Sequence, residues 1–203
     1  MTTLLLVRHG STEWNASGRL QGVTDIALSP EGEREALRLR PLVEAWAPTA
    51  VVASPLRRAA ATARLLIGHE PPTDPRLVEV GLGDWEGRTA ADIGDEVGAW
   101  RRGELVPPGG EDAALAAARI RAALDDAVAL AAAASDSGGT VLVVTHGGVV
   151  RAALGALVGL ATRHIAPVPP ASLTVVDLSG GVPRLRSLGV VPEPAAARQM
   201  TRA

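Results

Sequence analysis

Cysteine is absent from the 203 residues, which excludes disulfides, thiolate metal sites and a cysteine nucleophile together. Lysine, phenylalanine and tyrosine are also missing, and all 20 basic residues are arginine. The missing residues have AT-rich codons, so the composition reads as that of a GC-rich genome. An excess of one charge is lacking too: the formal net charge is −2, and the arginines are scattered. A nucleic-acid binder would show a basic stripe or patch, so no nucleic-acid partner is expected. Long hydrophobic runs are missing as well. Only Leu4 to Val7 precede Arg8, too short an apolar core for a signal peptide. The alanine-rich stretch from Ala113 to Ala134 is broken by Arg119, Arg121, Asp125 and Asp126 and cannot span a bilayer. The expectation is a cytoplasmic protein with no membrane partner. Its oligomeric state is open, a homodimer included.

What is present suits one globular domain. Apolar residues make up 47% and charged residues 21%, ordinary values for a chain long enough to bury a core. Thr3 to Val7 is a short apolar run ending at Arg8-His9-Gly10, a buried strand entering a glycine turn. Ser29 as N-cap, Pro30 at the first helical position and early acids predict a helix start. Ala36, Leu39, Leu42, Val43 and Trp46 mark its apolar face. Ala50 to Ala53 reads as a second strand, and Ser54-Pro55 as the opening of a helix to about Ile67. Residues 70 to 112 are rich in glycine, proline and charge, and read as an insertion over one face of the sheet with at most short helices. Glu111 to Ala134 is a strong helix by propensity, and Ser135 to Gly139 a loop. Thr140 to Val144 is a third strand, ending at Thr145-His146-Gly147-Gly148 and leading into a helix through Leu160. Ser172 to Leu178 and Arg184 to Leu188 are late strands. The domain is expected over residues 1–192, with a flexible tail over residues 193–203.

Strand then helix, three times over, predicts an α/β fold: a three-layer α/β/α sandwich on a largely parallel central sheet. Ligands of such sheets bind beyond the carboxyl ends of the strands. Those ends carry Arg8-His9-Gly10, Ser54 to Arg58, and His146-Gly147-Gly148, so two histidines and several arginines share one rim. Arginine forks match phosphate oxygens and stay charged. Glycines after a strand let backbone N–H groups approach an anion, helped by the following helix dipole. A neutral imidazole is a competent nucleophile at phosphorus, and phosphoryl transfer asks little else beyond positioning and neutralising oxygens. Zinc would want further ligands at short spacing. His9 and His146 show no HxH or HExxH pattern, and Arg8 beside His9 repels a dication. No metal is expected. Histidines that merely cap backbone groups are the bland alternative, as chance is for the single Asn15.

Leu4 to Asn15, with Arg8-His9-Gly10-Ser11-Thr12-Glu13-Trp14-Asn15, resembles the signature of the histidine phosphatase superfamily, the phosphoglycerate-mutase-like fold. Three further blocks follow in that family's order: Ser54-Pro55-Leu56-Arg57-Arg58-Ala59 with Thr62-Ala63, then Glu79 to Gly87, then Thr145 to Arg151. The resemblance implies that His9 is phosphorylated and that Arg8, Arg58 and His146 hold its phosphate. Asn15 matches a position that hydrogen-bonds the phosphoryl oxygens. Gly10 and Gly147 are expected to allow close backbone approach. Arg57 and Arg58 point about 100° apart on a helix, and the family pattern selects Arg58. Glu79 matches the proton donor, a role worth ~10²–10⁴-fold, with Asp84 and Glu86 as alternatives. His69 and His164 match no block and are expected at the surface. Ser11 stands where the family often has glutamate, Leu82 where an aromatic is common, and Asp112 where a serine would follow Gly-Gly-Glu.

A phosphatase lets water take the phosphoryl group; a mutase shields it and returns it to another hydroxyl. The stretch from Glu79 to Glu111 is short for a closing insertion. Hydrolysis of a small phosphate ester is therefore expected, with no cofactor. A mutase, or a non-catalytic phosphate-binding module, are the alternatives.

Overall fold

Leu4, Leu5, Leu6 and Val7 are all fully buried, which a strand achieves only when both faces of its sheet are covered. In the computed structural model, which describes residues 2–134 and 138–192, this strand is β1 (Thr3–Arg8). The other strands are β2 (Ala50–Ala53), β3 (Thr140–Thr145), β4 (Leu173–Asp177) and β5 (Arg184–Val190). They form one sheet in the order β2-β3-β1-β4-β5. β1 and β2 both run parallel to β3, and β4 is antiparallel to both β1 and β5. Four of the five strands therefore point the same way. The predicted tail lies outside the described residues, as does part of the predicted loop before β3.

Alternation along β1 splits the core into two layers. Leu4 and Leu6 pack with Ile120 and Leu124 of α6 (Ala113–Ala133) and with Val150 and Leu154 of α7 (Gly147–Val158). Leu5 and Val7 pack with Leu39 and Val43 of α2 (Pro30–Glu44) and with Ala63 and Leu66 of α3 (Arg57–Ile67). Helices thus cover both faces, the sandwich expected. Ser29 caps α2 through Gly32 N–H, with Pro30 at the first position. Trp46 departs from the predicted face: α2 ends at Glu44, and Trp46 is exposed.

Other boundaries shift for local reasons. α3 starts at Arg57, because the Ser54 hydroxyl is used by His146 and by Leu56 N–H and does not cap the helix. α6 starts at Ala113, with Asp112 as the N-cap accepting from Ala114 and Leu115 N–H. Aspartate and serine serve equally well at that position, which accounts for Asp112 where the family pattern has serine. α7 stops at Val158, where Gly159 takes a left-handed C-cap. The stretch before α6 holds two 3₁₀ turns (Pro75–Leu77 and Gly83–Trp85) and two short helices. These short helices are α4 (Ala90–Ile93) and α5 (Glu96–Arg102). α1 (Glu13–Ala16) is a single turn after β1.

Candidate active site

The parallel register brings the strand-end blocks together. Arg8 lies opposite Thr145, and His9 N–H donates to the Thr145 carbonyl at 2.9 Å. On the other side of β3, Ser54 N–H donates to the Val144 carbonyl at 2.9 Å. His9 and His146 consequently leave neighbouring strands side by side, their ring centroids 5.2 Å apart. Arg58 enters from the first turn of α3 and is completely buried. Its Nη1 and Nη2 donate to the Thr24 and Gly22 carbonyls, each at 2.7 Å. Arg57, on the next face, stays outside and pairs with Asp25. Arg8 is anchored by Nη1 donating to the Val168 carbonyl.

A hydrogen bond to a carbonyl fixes the state of His9. His9 Nδ1 lies 2.7 Å from the Gly10 carbonyl, an acceptor only, so Nδ1 carries the proton and Nε2 the lone pair. Burial, and then the Arg8 and Arg58 charges, hold the His9 pKa well below the ordinary histidine value. His146 is lowered in the same way by burial, followed by His9 and the arginines. Its Nε2 meets the Ser54 hydroxyl at 2.8 Å. When Ser54 donates its hydroxyl proton to that nitrogen, the neutral ring carries its own proton on Nδ1. That Nδ1, Arg8 Nε and Arg58 Nε are buried without a protein partner. Three orphaned donors around one imidazole suit an oxyanion, since each costs free energy until something accepts from it. Among the described residues no three His, Cys, Asp or Glu side chains cluster as a metal would need.

Arg8, His9, Asn15, Arg58 and Glu79 line one cavity of about 690 Å³. Asn15 accepts from the Thr12 N–H and hydroxyl through Oδ1, which leaves its Nδ2 donors for the cavity. His146 sits behind this surface, fully buried. The two glycines expected to open the backbone to a ligand have other jobs. A Cβ on Gly10 would lie 2.3 Å from the Gly32 carbonyl, so its missing side chain admits α2, and its N–H donates to Thr62. Gly147 packs against the Arg8 side chain. The glycine facing the cavity is Gly148, whose N–H donates to Glu79 Oε2 at 3.0 Å and whose Cβ would strike that carboxylate. Its place in the glycine pair after His146 was the available signal.

Glu79 is held by a brace that sequence reasoning missed. Arg119 of α6 donates to the carbonyls of Arg76, Val78 and Glu79. The same guanidinium pairs bidentately with Glu111 at 2.6 and 2.7 Å. Glu111 N–H in turn donates to the Gly81 carbonyl, and Gly81 N–H donates back to the Glu111 carboxylate. No motif marks Arg119; the carbonyls it holds lie 40 to 43 residues away along the chain. Of the alternatives to Glu79, Asp84 is exposed and Glu86 is a staple. Glu86 accepts from Val23, Thr24 and Leu82 N–H and from the Thr24 hydroxyl. Burial pushes its pKa up, but these hydrogen bonds outweigh that and leave it lowered. It thereby fixes the loop whose carbonyls hold Arg58. Gln21, buried with Oε1 unpartnered, also faces the cavity and was not foreseen. Ser11 donates to Glu35, and His69 and His164 are exposed.

A mostly parallel sheet whose strand ends gather two neutral histidines, a buried arginine and a half-buried one defines a class of phosphate-handling α/β proteins. The chain belongs to the histidine phosphatase superfamily (branch 1), matching that family over residues 4–191. It is 32% identical over 200 residues to a 2,3-bisphosphoglycerate-dependent phosphoglycerate mutase of Cytophaga hutchinsonii, covering 91% of this chain and 87% of the relative. It is 37% identical over 168 residues to the glucosyl-3-phosphoglycerate phosphatase of Mycobacterium tuberculosis, covering 77% and 75%. The structure of an Entamoeba histolytica phosphoserine phosphatase superposes with a TM-score of 0.82 at 26% identity, over 93% of this chain and 97% of that one. Phosphomonoesterase or mutase chemistry is what this family brings to the chain. No helix among the described residues is long and apolar enough to cross a membrane.

Proposed function

We propose that the chain is a phosphatase that hydrolyses a small-molecule phosphomonoester through a phosphohistidine on His9. The observation that carries this reading is the neutral His9 ring, with Nδ1 tied to the Gly10 carbonyl, set among three buried donors without protein partners. The Nε2 lone pair attacks phosphorus and the P–O bond to the leaving alcohol breaks. Glu79 gives its proton to the departing oxygen, avoiding a free alkoxide. Arg8, Arg58, His146 Nδ1–H and Asn15 neutralise the oxygens during transfer. The ring's new positive charge is eased by the Gly10 carbonyl. Water then attacks the phosphohistidine and gives its proton to Glu79, so phosphate leaves and His9 returns to neutrality. Hydrolysis is favoured over mutase action because the chain between Glu79 and α6 carries only one 3₁₀ turn and the short helices α4 and α5.

Hydrolysis of p-nitrophenyl phosphate, with His9→Ala as the control, tests the reading. The wild type is expected to turn over and the variant to lose at least about 10³-fold. Undiminished activity in His9→Ala would sink the mechanism. Isomerisation of 3-phosphoglycerate faster than its hydrolysis, assayed with 2,3-bisphosphoglycerate present, would decide for a mutase.

A further inference from the structure

The cavity that contains His9 and Glu79, at about 690 Å³, is far larger than a phosphate needs; pockets of roughly 300–1,000 Å³ take drug-sized molecules. Beyond Glu79 its walls are mostly apolar. On α7, Gly148 touches Glu79, and Ala152 and Gly155 continue the same face at i+4 and i+7. This carries the wall about 10 Å along the helix. Ala116 and Ala117 of α6 also line the cavity. Small side chains on two packed helices leave the room. A further wall is Trp100, held edge-on by the buried Trp85 at 6.0 Å, together with Leu82.

The charges among these walls are already partnered or lie at the ends: Glu111 is paired with Arg119, and Arg19 donates to the Gly87 carbonyl. Arg151 lines the cavity one turn from Gly148, and its charge lowers the pKa of Arg8, so it belongs to the phosphate end. Arg101 is exposed, at the opening. An alcohol leaving past Glu79 therefore travels between alanines, a glycine and an indole.

Building on the phosphatase reading, we infer that the leaving group is a large apolar alcohol, alkyl or aryl, and that this chamber selects it. A small polar alcohol such as serine or glycerate would find few hydrogen-bonding groups on the alanine, glycine and indole walls.

A homologous series of n-alkyl phosphates, from ethyl to decyl, tests this in the wild-type protein. kcat/KM is expected to climb by up to about fourfold per methylene, the effect of burying one CH₂ group. It should level at roughly eight carbons, the length of the α7 wall. Ala152→Trp is expected to flatten the climb and Ala117→Leu to level it at shorter chains, with thermal melts showing that both variants fold. A flat wild-type series, or a preference for 3-phosphoglycerate or phosphoserine over hexyl phosphate, overturns the chamber while leaving a phosphatase. Failure to hydrolyse any ester overturns the phosphatase reading and the chamber with it.

Discussion

The floor of the cavity and its wall are built differently. The floor, where β1, β3 and the start of α3 meet, is backed by a core whose strand residues are completely buried. The wall from Glu79 to Glu111 has short helices and turns, and two charged devices hold it. These are the Arg119–Glu111 pair and the Glu86 staple. A floor made of packed strands places groups to fractions of an ångström because interiors are dense and resist strain. A wall tethered by a few charge-assisted bonds can change shape away from those tethers while the floor keeps its geometry. Position is set by the sheet, and selectivity is left to the insertion.

Substitutions on the two sides should differ in size and in kind. The largest effect is expected in the floor: Arg58→Ala removes the phosphate donor and strands the Gly22 and Thr24 carbonyls. Activity should fall by about 10²–10³-fold, and stability by about 1–3 kcal/mol for each buried group left unpaired. Initial rates and denaturant melts measure both, and a loss of activity alone would show that Arg58 does not hold the loop. In the wall, Arg119→Met should lower kcat about tenfold by letting Glu79 drift. Added to Glu79→Gln, the same change should cost almost nothing further, because it acts through that carboxylate. Additive losses would make Arg119 a structural residue only.

The pH dependence belongs to the floor. His9 and His146 are neutral when folded, while an unfolded histidine titrates near 6.5. Between the depressed folded values and that point, the unfolded chain binds protons that the folded protein does not. This part of the stability is complete above about pH 6.5 and declines as pH falls below it. The urea midpoint should therefore drop between about pH 7.5 and pH 5.5, by less once His146 is replaced with glutamine. A level midpoint would contradict a neutral pair. The smallest effect is expected at Arg57, whose side chain is 64% exposed beside Asp25. Arg57→Ala should change stability by less than about 1 kcal/mol and activity by no more than about twofold, in sharp contrast to its neighbour Arg58.

The floor was also the legible part of the molecule. Apolar runs ending in Arg8-His9-Gly10 and Thr145-His146-Gly147 announce strands and their carboxyl ends, and a parallel sheet brings such ends to one rim. The adjacency of β1 and β3 needs pairings across more than 130 residues, which no local pattern carries. The wall was hardest to read because its contacts are made by isolated charges. Nothing near Arg119 marks it as the holder of residues 76–79, and Glu86 looked like a spare acid until its four donors were in view. Gly10 misled for a related reason: the same glycine freedom serves helix packing as readily as anion binding. Trp46 extended a helical pattern that the backbone had already left.

The alignment of Arg8 with Thr145 has a consequence for how such a protein can change over generations. Side chains alternate along a strand, so inserting or deleting one residue in β1 or β3 would exchange Leu4 and Leu6 with Leu5 and Val7 between the two cores. The same slip would turn His9 away from His146. A register slip would therefore damage the fold and the chemistry together. Apart from Glu86 and Glu111, which tie it to the Arg58 loop and the Glu79 segment, the insertion carries no register to keep, so descendants can explore new alcohols there one loop residue at a time.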